Sequence, residues 1–431
     1  MKRFLIIIIL AAPIFGNAQQ LSLQDAVNLA LKNSLDIQLA KNNVDITTIN
    51  NSYGVAGGLP VVTGGVTDNE QVTSISQKYS DPARNNNSNN ASSNTLSANV
   101  TGSFLLYNGM RVVAAKKRLE QLEQQSQQLL ISQIQNTIAA VMTKYYDIVR
   151  QQSYIKTINQ SIVVSQQRLD ILKTQKEVGM ANNADLFQSQ LDLNALLQSQ
   201  KSQQLVIDQA KSDLLTLLTL NADSAIMVKD TIIVSNNVSL DSALTSLAKN
   251  PDLIAAAQQI RINEQLVKET AAQRYPSLRL NGGYNYNRNQ NSAGFNLLNE
   301  SYGPQIGVSL VVPIYNGSIY KKQQQVAEIN TKNAAIQRQT LVRDYSASVV
   351  KTYQAYANAL KQLETEQQNY DLANQLLQLV IQKFQLRQAT IVDVKLAQQS
   401  FEDAGYRLVN LSYAAKSAEI ELKRIANALT L

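Results

Sequence analysis

Cysteine, histidine and tryptophan are all absent from this 431-residue chain. Without cysteine there is no disulfide, no thiol nucleophile and no thiolate metal site; without histidine there is no imidazole ligand or imidazole general base. No cofactor or metal is expected. Charge is sparse and not strongly one-sided, with 39 Lys and Arg against 32 Asp and Glu. A net charge of +7 on a chain this long reads as a solvated surface. Nucleic-acid binding would need a clustered basic face with stacking aromatics, and none is visible. No 18-residue apolar stretch occurs after residue 18, so spanning helices of the inner-membrane kind are not expected.

What is there begins with a leader. Lys2 and Arg3 precede an apolar run from Phe4 to Ile14, and Gly16-Asn17-Ala18 supplies small residues. This reads as a secretory signal peptide over 1–18, too short to span as a helix. No cysteine follows it, so a lipid anchor on an N-terminal cysteine is not expected.

Tyr-Asn-Gly occurs twice, as Tyr107-Asn108-Gly109 and Tyr315-Asn316-Gly317, 208 positions apart. The same offset holds away from the motif. Ile134, Val141, Ile148, Ile155, Ile162 and Leu169 fall every seven residues, and their counterparts Val342, Val349, Tyr356, Leu363, Tyr370 and Leu377 are all apolar or aromatic. Asp185 lands on Asp393 and Gln190 on Gln398; nearer the start, Ser22-Leu23 and Lys32-Asn33 match Ser239-Leu240 and Lys249-Asn250 at an offset of 217. The chain is therefore read as two tandem repeats, 19–235 and 236–431. Each opens with a helical segment (22–56 and 239–273) capped by Ser22 or Ser239. Strands follow at about 59–77 and 95–106 in the first repeat, and at about 277–289 and 302–314 in the second. Then come a long helix, about 110–178 or 318–386, and a returning helix, about 183–219 or 391–428. A rod of that length, roughly 105 Å at 1.5 Å per residue, with a seven-residue apolar repeat predicts helices packed side by side as in a coiled coil.

The strands alternate. Leu278, Leu280, Gly282, Tyr284 and Tyr286 share one face of "SLRLNGGYNYNRN", and Ile306, Val308, Leu310, Val312 and Ile314 one face of the next strand. In the first repeat Leu96, Ala98, Val100, Phe104 and Leu106 alternate with Thr95, Ser97, Asn99, Thr101 and Ser103. A half-buried sheet in a soluble sandwich shows the same alternation. The uncharged polar faces, the tyrosines near a strand end and the loop-like stretches "DPARNNNSNNASSN" and "RNQNSAGFNLLNES" favour a membrane barrel. Four strands cannot close one, and an open sheet edge cannot face lipid. The barrel must be shared, with eight strands from two chains or twelve from three. Tyr-Asn-Gly then marks the strand-to-helix junction, where glycine permits a sharp redirection and asparagine caps the helix.

Leader, repeats, strands and paired long helices together resemble the TolC family of outer-membrane efflux proteins. Tyr107-Asn108-Gly109 and Tyr315-Asn316-Gly317 stand where that family has an aromatic-polar-glycine group. "ATIVDVKLAQ" (Ala389 to Gln398) and "VGMANNADLFQSQ" are similar to its two periplasmic turns. The resemblance implies a trimeric twelve-strand barrel in the outer membrane continued by a twelve-helix periplasmic tunnel. That is a mixed fold of membrane β-barrel and α-helical barrel. It implies an exit duct for a tripartite efflux or type I secretion system, and no enzyme. The partners it implies are outer-membrane lipid, a periplasmic adaptor (membrane fusion) protein and an inner-membrane transporter of RND, ABC or MFS type. It also implies a gate at the helix turns, with Asp393 and Asp185 as its aspartates. Phe384 stands where the family has a tyrosine, Ala389, Ala184 and Leu396 replace further gate residues, and Arg387 is placed to substitute for the lost arginine. Two other functions compete. A surface structural coiled coil or adhesin would explain the heptads but not the strand faces. An enzyme would have to rely on carboxylates scattered along helices.

Overall fold

The computed structural model describes residues 19–294 and 296–429; the leader read over 1–18 lies outside them. In chain order the elements are β1 (Gln19–Gln20), α1 (Leu23–Asn33), α2 (Leu35–Asn50), β2 (Val61–Gln77), β3 (Asn86–Tyr107), α3 (Arg111–Glu177), α4 (Asn183–Leu217), β4 (Ile226–Met227), α5 (Leu240–Ser246), α6 (Pro251–Ala272), β5 (Ser277–Asn291), β6 (Leu298–Val311), α7 (Ile319–Gln385) and α8 (Ile391–Ile425). The chain divides into two compact units. One holds the residues up to Asn42, Gln128–Ile254 and Thr340 onward; the other holds Asn43–Gln127 and Ala255–Gln339.

In the first unit the helices are tied by paired apolar clusters. Ala26, Val141, Ile148 and Leu214 are buried in one cluster, and Ala243, Val349, Tyr356 and Leu422 in another. A third cluster near the helix turns gathers Val164, Leu172, Leu377, Phe384, Val394 and Phe401. All twelve heptad residues are buried or half-buried. Each fully buried aliphatic or aromatic side chain contributes about 1.5–3 kcal/mol. Packing of this stripe, more than propensity, holds the Gln-rich helices.

Helix ends follow local chemistry. Ser22 caps α1 through a capping box with Asp25, and Ser239 caps α5 through the Ser242 amide. The segments expected as single helices over 22–56 and 239–273 are each broken. Ser34 Oγ accepts the Ile37 amide at 3.4 Å, starting α2 afresh, and that helix stops at Asn50. Asn250 accepts the Asp252 and Leu253 amides ahead of Pro251, starting α6. A side-chain cap inside a helical run offers the backbone a competing partner and restarts the helix there. The long helices α3 and α7 have 67 residues each and start at Arg111 and Ile319, 208 positions apart. Helices α4 and α8 have 35 residues each at the same offset.

In the second unit four antiparallel strands form one sheet in the order β2-β3-β5-β6. The strands are longer at the loop end than the sequence suggested. β3 starts at Asn86 rather than near 95, and β5 and β6 continue to Asn291 and from Leu298. Asn- and Ser-rich composition marks these stretches as loops. Yet the ladder continues, because backbone pairing between neighbouring strands needs only donors and acceptors. At the other end β6 stops at Val311, short of the expected 314. Pro313 has no N–H to donate. A bulge between Leu105 and Tyr107 also shifts the phase, so Tyr107 rather than Leu106 pairs with Leu278.

Both strand-to-helix junctions use two successive left-handed residues, Gly109 and Met110 (φ 67° and 66°) and Gly317 and Ser318 (φ 67° and 63°). Their surroundings differ. A Cβ on Gly109 would meet Tyr275 Cβ at 2.6 Å and the Ala272 carbonyl at 2.9 Å, whereas one on Gly317 would meet nothing within 4 Å. Gly109→Ala should therefore cost roughly 2–4 kcal/mol and Gly317→Ala about 1 kcal/mol, read from unfolding midpoints. Equal costs would show that something outside this chain fills the space beside Gly317.

Candidate functional site

The sheet presents two chemically distinct faces, fixed by register. One face carries the rungs Phe104–Leu280–Val308, Val62–Gly102–Gly282–Ile306, Gly64–Val100–Tyr284–Pro304 and Val66–Ala98–Tyr286–Tyr302. With Leu278–Leu310 these rungs form an uncharged apolar band about 27 Å long at 3.4 Å per residue. The next rung, Asp68–Leu96–Arg288–Glu300, ends it with charge, and Arg288 pairs with Glu300 at 3.6 Å. Within the band Ile306, Val308 and Leu310 are 83, 64 and 63 % exposed. Apolar surface this continuous is rare on soluble monomers.

The opposite face reads Thr63–Thr101–Gly283–Gln305, Gly65–Asn99–Asn285–Gly303 and Thr67–Ser97–Asn287–Ser301. The Thr63 and Thr101 hydroxyls hydrogen-bond at 3.0 Å. No helix among the described residues is long and apolar enough to cross a membrane.

At the junctions Tyr107 is 42 % and Tyr315 83 % exposed. Asn108 Oδ1 accepts the Val112 amide at 3.4 Å and its carbonyl the Arg111 amide at 3.3 Å. The Asn316 carbonyl accepts the Ile319 amide at 3.4 Å, while its side-chain nitrogen is buried without a partner among the described residues.

At the helix turns both long helices end in the same way. Gly179 and Met180 donate to the Lys176 and Gln175 carbonyls at 2.9 and 2.7 Å; Arg387 and Gln388 donate to those of Phe384 and Lys383 at 3.1 and 2.8 Å. This pairing is a Schellman closure, which wants a left-handed residue. Gly179 has φ 75°, and Arg387 holds φ 63° in the equivalent place. A non-glycine residue there costs about 1–2 kcal/mol. Arg387 is exposed, and its side chain makes no ion pair among the described residues. Phe384 is 5 % exposed and belongs to the apolar cluster, so it supports the turn from inside.

Asp393 is exposed at the third residue of α8, where it accepts the Thr390 amide at 2.7 Å and the Thr390 hydroxyl at 2.8 Å. These two donors hold its carboxyl below the usual carboxylate range. Asp185 holds the matching position in α4, where its amide donates to Asn182 Oδ1 at 2.8 Å. No hydrogen bond or ion pair joins Asp185 to Asp393 among the described residues.

A charged group near these turns escaped the sequence reading. Arg168 is 2 % exposed; its Nε donates to Ser189 Oγ at 3.3 Å and its terminal nitrogen to Asp192 at 3.0 Å. Lys395 reaches the same carboxylate at 3.1 Å. Burial lowers the Arg168 pKa, against the pull of Asp192. The available signal was a run of small polar residues at core spacing: Ser165 and Ser161 are fully buried one and two turns before it. Removing Asp192 (Asp192→Ala) leaves an unpaired guanidinium in the interior and should cost about 3 kcal/mol, the low end of the range because Asp192 is partly exposed. Arg168→Leu combined with Asp192→Leu should recover most of it. Unfolding midpoints of the single and double variants give the check.

Comparison with known proteins places this architecture. The family model described as outer membrane efflux protein matches twice, over residues 26–220 and 244–428. The outer membrane protein TolC of Vibrio cholerae is 26% identical over 347 residues, 78% of each chain. Among solved structures, the outer membrane protein VceC of Vibrio cholerae superposes with a TM-score of 0.77 at 17% identity, covering 94% of this chain and 96% of its own. The CmeC outer membrane channel of Campylobacter jejuni gives 0.79 at 15% identity, covering 94% and 85%. With one match in each half, the chain belongs to the outer membrane efflux protein family, whose members are channels of the outer membrane rather than enzymes.

Proposed function

We propose that three copies of this chain close a twelve-strand barrel in the outer membrane, continued by a twelve-helix tunnel through the periplasm. The observation that carries the reading is the four-stranded sheet whose outer strands β2 and β6 each have an edge unpaired among the described residues. In hydrocarbon each unpaired N–H and C=O costs several kcal/mol, so edges must meet edges. The chain already contains a model for the joint. β3 of the first repeat pairs with β5 of the second, and β6 of one copy meeting β2 of the next repeats that joint between chains. A head-to-tail contact of this kind closes into a ring when the rotation per copy divides a full turn, one third of a turn for three copies. The apolar band then faces lipid, and the polar face, uncharged apart from Arg279, lines the lumen.

In this reading the protein is a passive exit duct of a tripartite efflux or type I secretion system. Its partners are a periplasmic adaptor and an inner-membrane pump of RND, ABC or MFS type. The turns at 178–182 and 386–390 form the tunnel end, with Asp393 as the gate carboxylate, Asp185 as its weaker counterpart, and Arg387 and Phe384 as the side chains that shape the turn. Tyr107 to Gly109 and Tyr315 to Gly317 are the hinges between barrel strand and tunnel helix.

The oligomer should run as a heat-modifiable trimer in detergent. Val308→Arg, in the lipid-facing band, should impair assembly by about 2–4 kcal/mol. Gln305→Arg, on the lumenal face opposite Gly283, should be tolerated. Native mass spectrometry of both variants reads the difference, and equal assembly would mean that the strand phase is inverted.

Conductance in a planar bilayer tests the duct itself. A ring of three Asp393 carboxylates, held ionised by Thr390, should favour cations and bind multivalent ones as blockers. Asp393→Ala should lower the cation preference seen in the reversal potential and weaken block by a trivalent cation several-fold, with the trimer intact. Unchanged selectivity and block would remove Asp393 from the gate.

A further inference from the structure

The polar face of the sheet carries one formal charge among the described strand residues, Arg279 near the helix end of β5. It lies opposite Ser309 on β6 and Leu105 on β3. Arg279 lines a recess of about 620 Å³ together with Arg111 and Arg118 from the start of α3 and Glu269 from α6. Arg118 is already committed, its Nε donating to Glu269 at 2.9 Å. Arg111 and Arg279 make no side-chain hydrogen bond or ion pair among the described residues. Three arginines share this lining with one carboxylate, and only Arg118 is paired with it; Arg111 and Arg279 are exposed and leave two positive charges without an anion among the described residues. The α3 N-terminus opens beside Asn108 on the same recess and adds the positive end of its dipole.

We propose that this recess is an anion-binding site on the wall of the duct, built to hold a phosphate or carboxylate group of a passing solute. The inference rests on the duct reading above. Two unpaired guanidiniums provide forked donors that match such oxyanions. A uniformly uncharged face above them leaves Arg279 as the last charge an exported anion meets along that wall. Three copies around an axis give a positive ring at the base of the barrel.

A membrane phosphate could offer the same chemistry, but the strand residues that line the recess, among them Leu105, Ser277, Arg279 and Val311, belong to the face opposite the apolar band. The site therefore opens away from lipid and takes its ligand from solution. It sets a preference among exported anions.

The test uses the assembled protein in a planar bilayer, with pyrophosphate as the probe added to each side in turn. Pyrophosphate should reduce the wild-type current, and Arg279→Gln or Arg111→Gln should raise the concentration needed by about tenfold, the effect of one lost charge pair. Arg274→Gln, exposed outside the recess, should leave block unchanged. Block that ignores both Arg279 and Arg111 overturns the site while leaving the duct in place. Absence of any current overturns the duct reading and this inference with it. Phospholipid phosphorus retained by the purified protein should be equal in wild type and Arg279→Gln; its loss in the variant would assign the site to a lipid headgroup and overturn the lumenal placement.

Discussion

Unpaired backbone along β2 and β6 constrains everything else about this protein. A strand edge exposes a row of donors and acceptors that water satisfies at little cost and hydrocarbon does not. The same sheet shows an uncharged apolar band on one face; in the proposed barrel that face meets lipid, and the edges cannot remain free there. Soluble proteins blunt such edges with charge or proline. Apart from Asp68, Glu70, Glu300 and Pro304, β2 and β6 carry no charge or proline, and they place apolar residues such as Val62, Val66, Ile306 and Val308 on the band, which suits pairing rather than avoidance. The hinge glycines, the heptad stripe and the equal helix lengths all serve the proposed ring, because each repeat must deliver its strands and helices in the same phase.

The two repeats match in their frame and differ in their chemistry. The long helices start, stop and turn at one fixed offset, down to the left-handed residues Thr219 and Asn427 that close α4 and α8. Side chains differ at most aligned positions, and a few of the changes alter local chemistry. Gly179 becomes Arg387, and Asn182 becomes Thr390 with its full capping box. The buried Arg168 corresponds to the exposed Leu376, and the buried Glu419, held by Lys416 and Lys423, corresponds to Lys211. A duplicated frame tolerates such changes because packing depends on the heptad positions, and the four changes named here lie at turns or in local pockets. Six quasi-equivalent helix pairs around the proposed axis would thus alternate between two chemistries, one at the Arg168–Asp192 pair and one at the Thr390–Asp393 cap.

Charge is placed where the frame permits it. The sheet keeps both faces nearly free of it, the turns present Asp393 and Arg387 to solvent, and the recess at the base of the sheet concentrates arginine. In a wide conduit with few contacts to a solute, fixed charges at narrow places are the main means of discrimination.

Sequence periodicity alone determined the duplication, the long helices and the alternation of the strands, because these follow from spacings of 7 and 2 that survive any packing. It also located the junctions, since few residues other than glycine adopt φ near 67° readily. Three things lay beyond it. The strands run on through Asn86 to Asn94, since a ladder needs backbone partners rather than β-forming side chains. The initial helices break at Ser34 and Asn250, where a side chain competes with the helix for its own amides. Arg168, read along the chain, is one more helix-surface cation. Only the tertiary structure decided that it is buried between helices with Asp192, that Tyr275 crowds Gly109, and that Arg111 and Arg279 share one recess. Each of these depends on residues 24 to 168 positions apart meeting in space, and no local pattern encodes such a meeting.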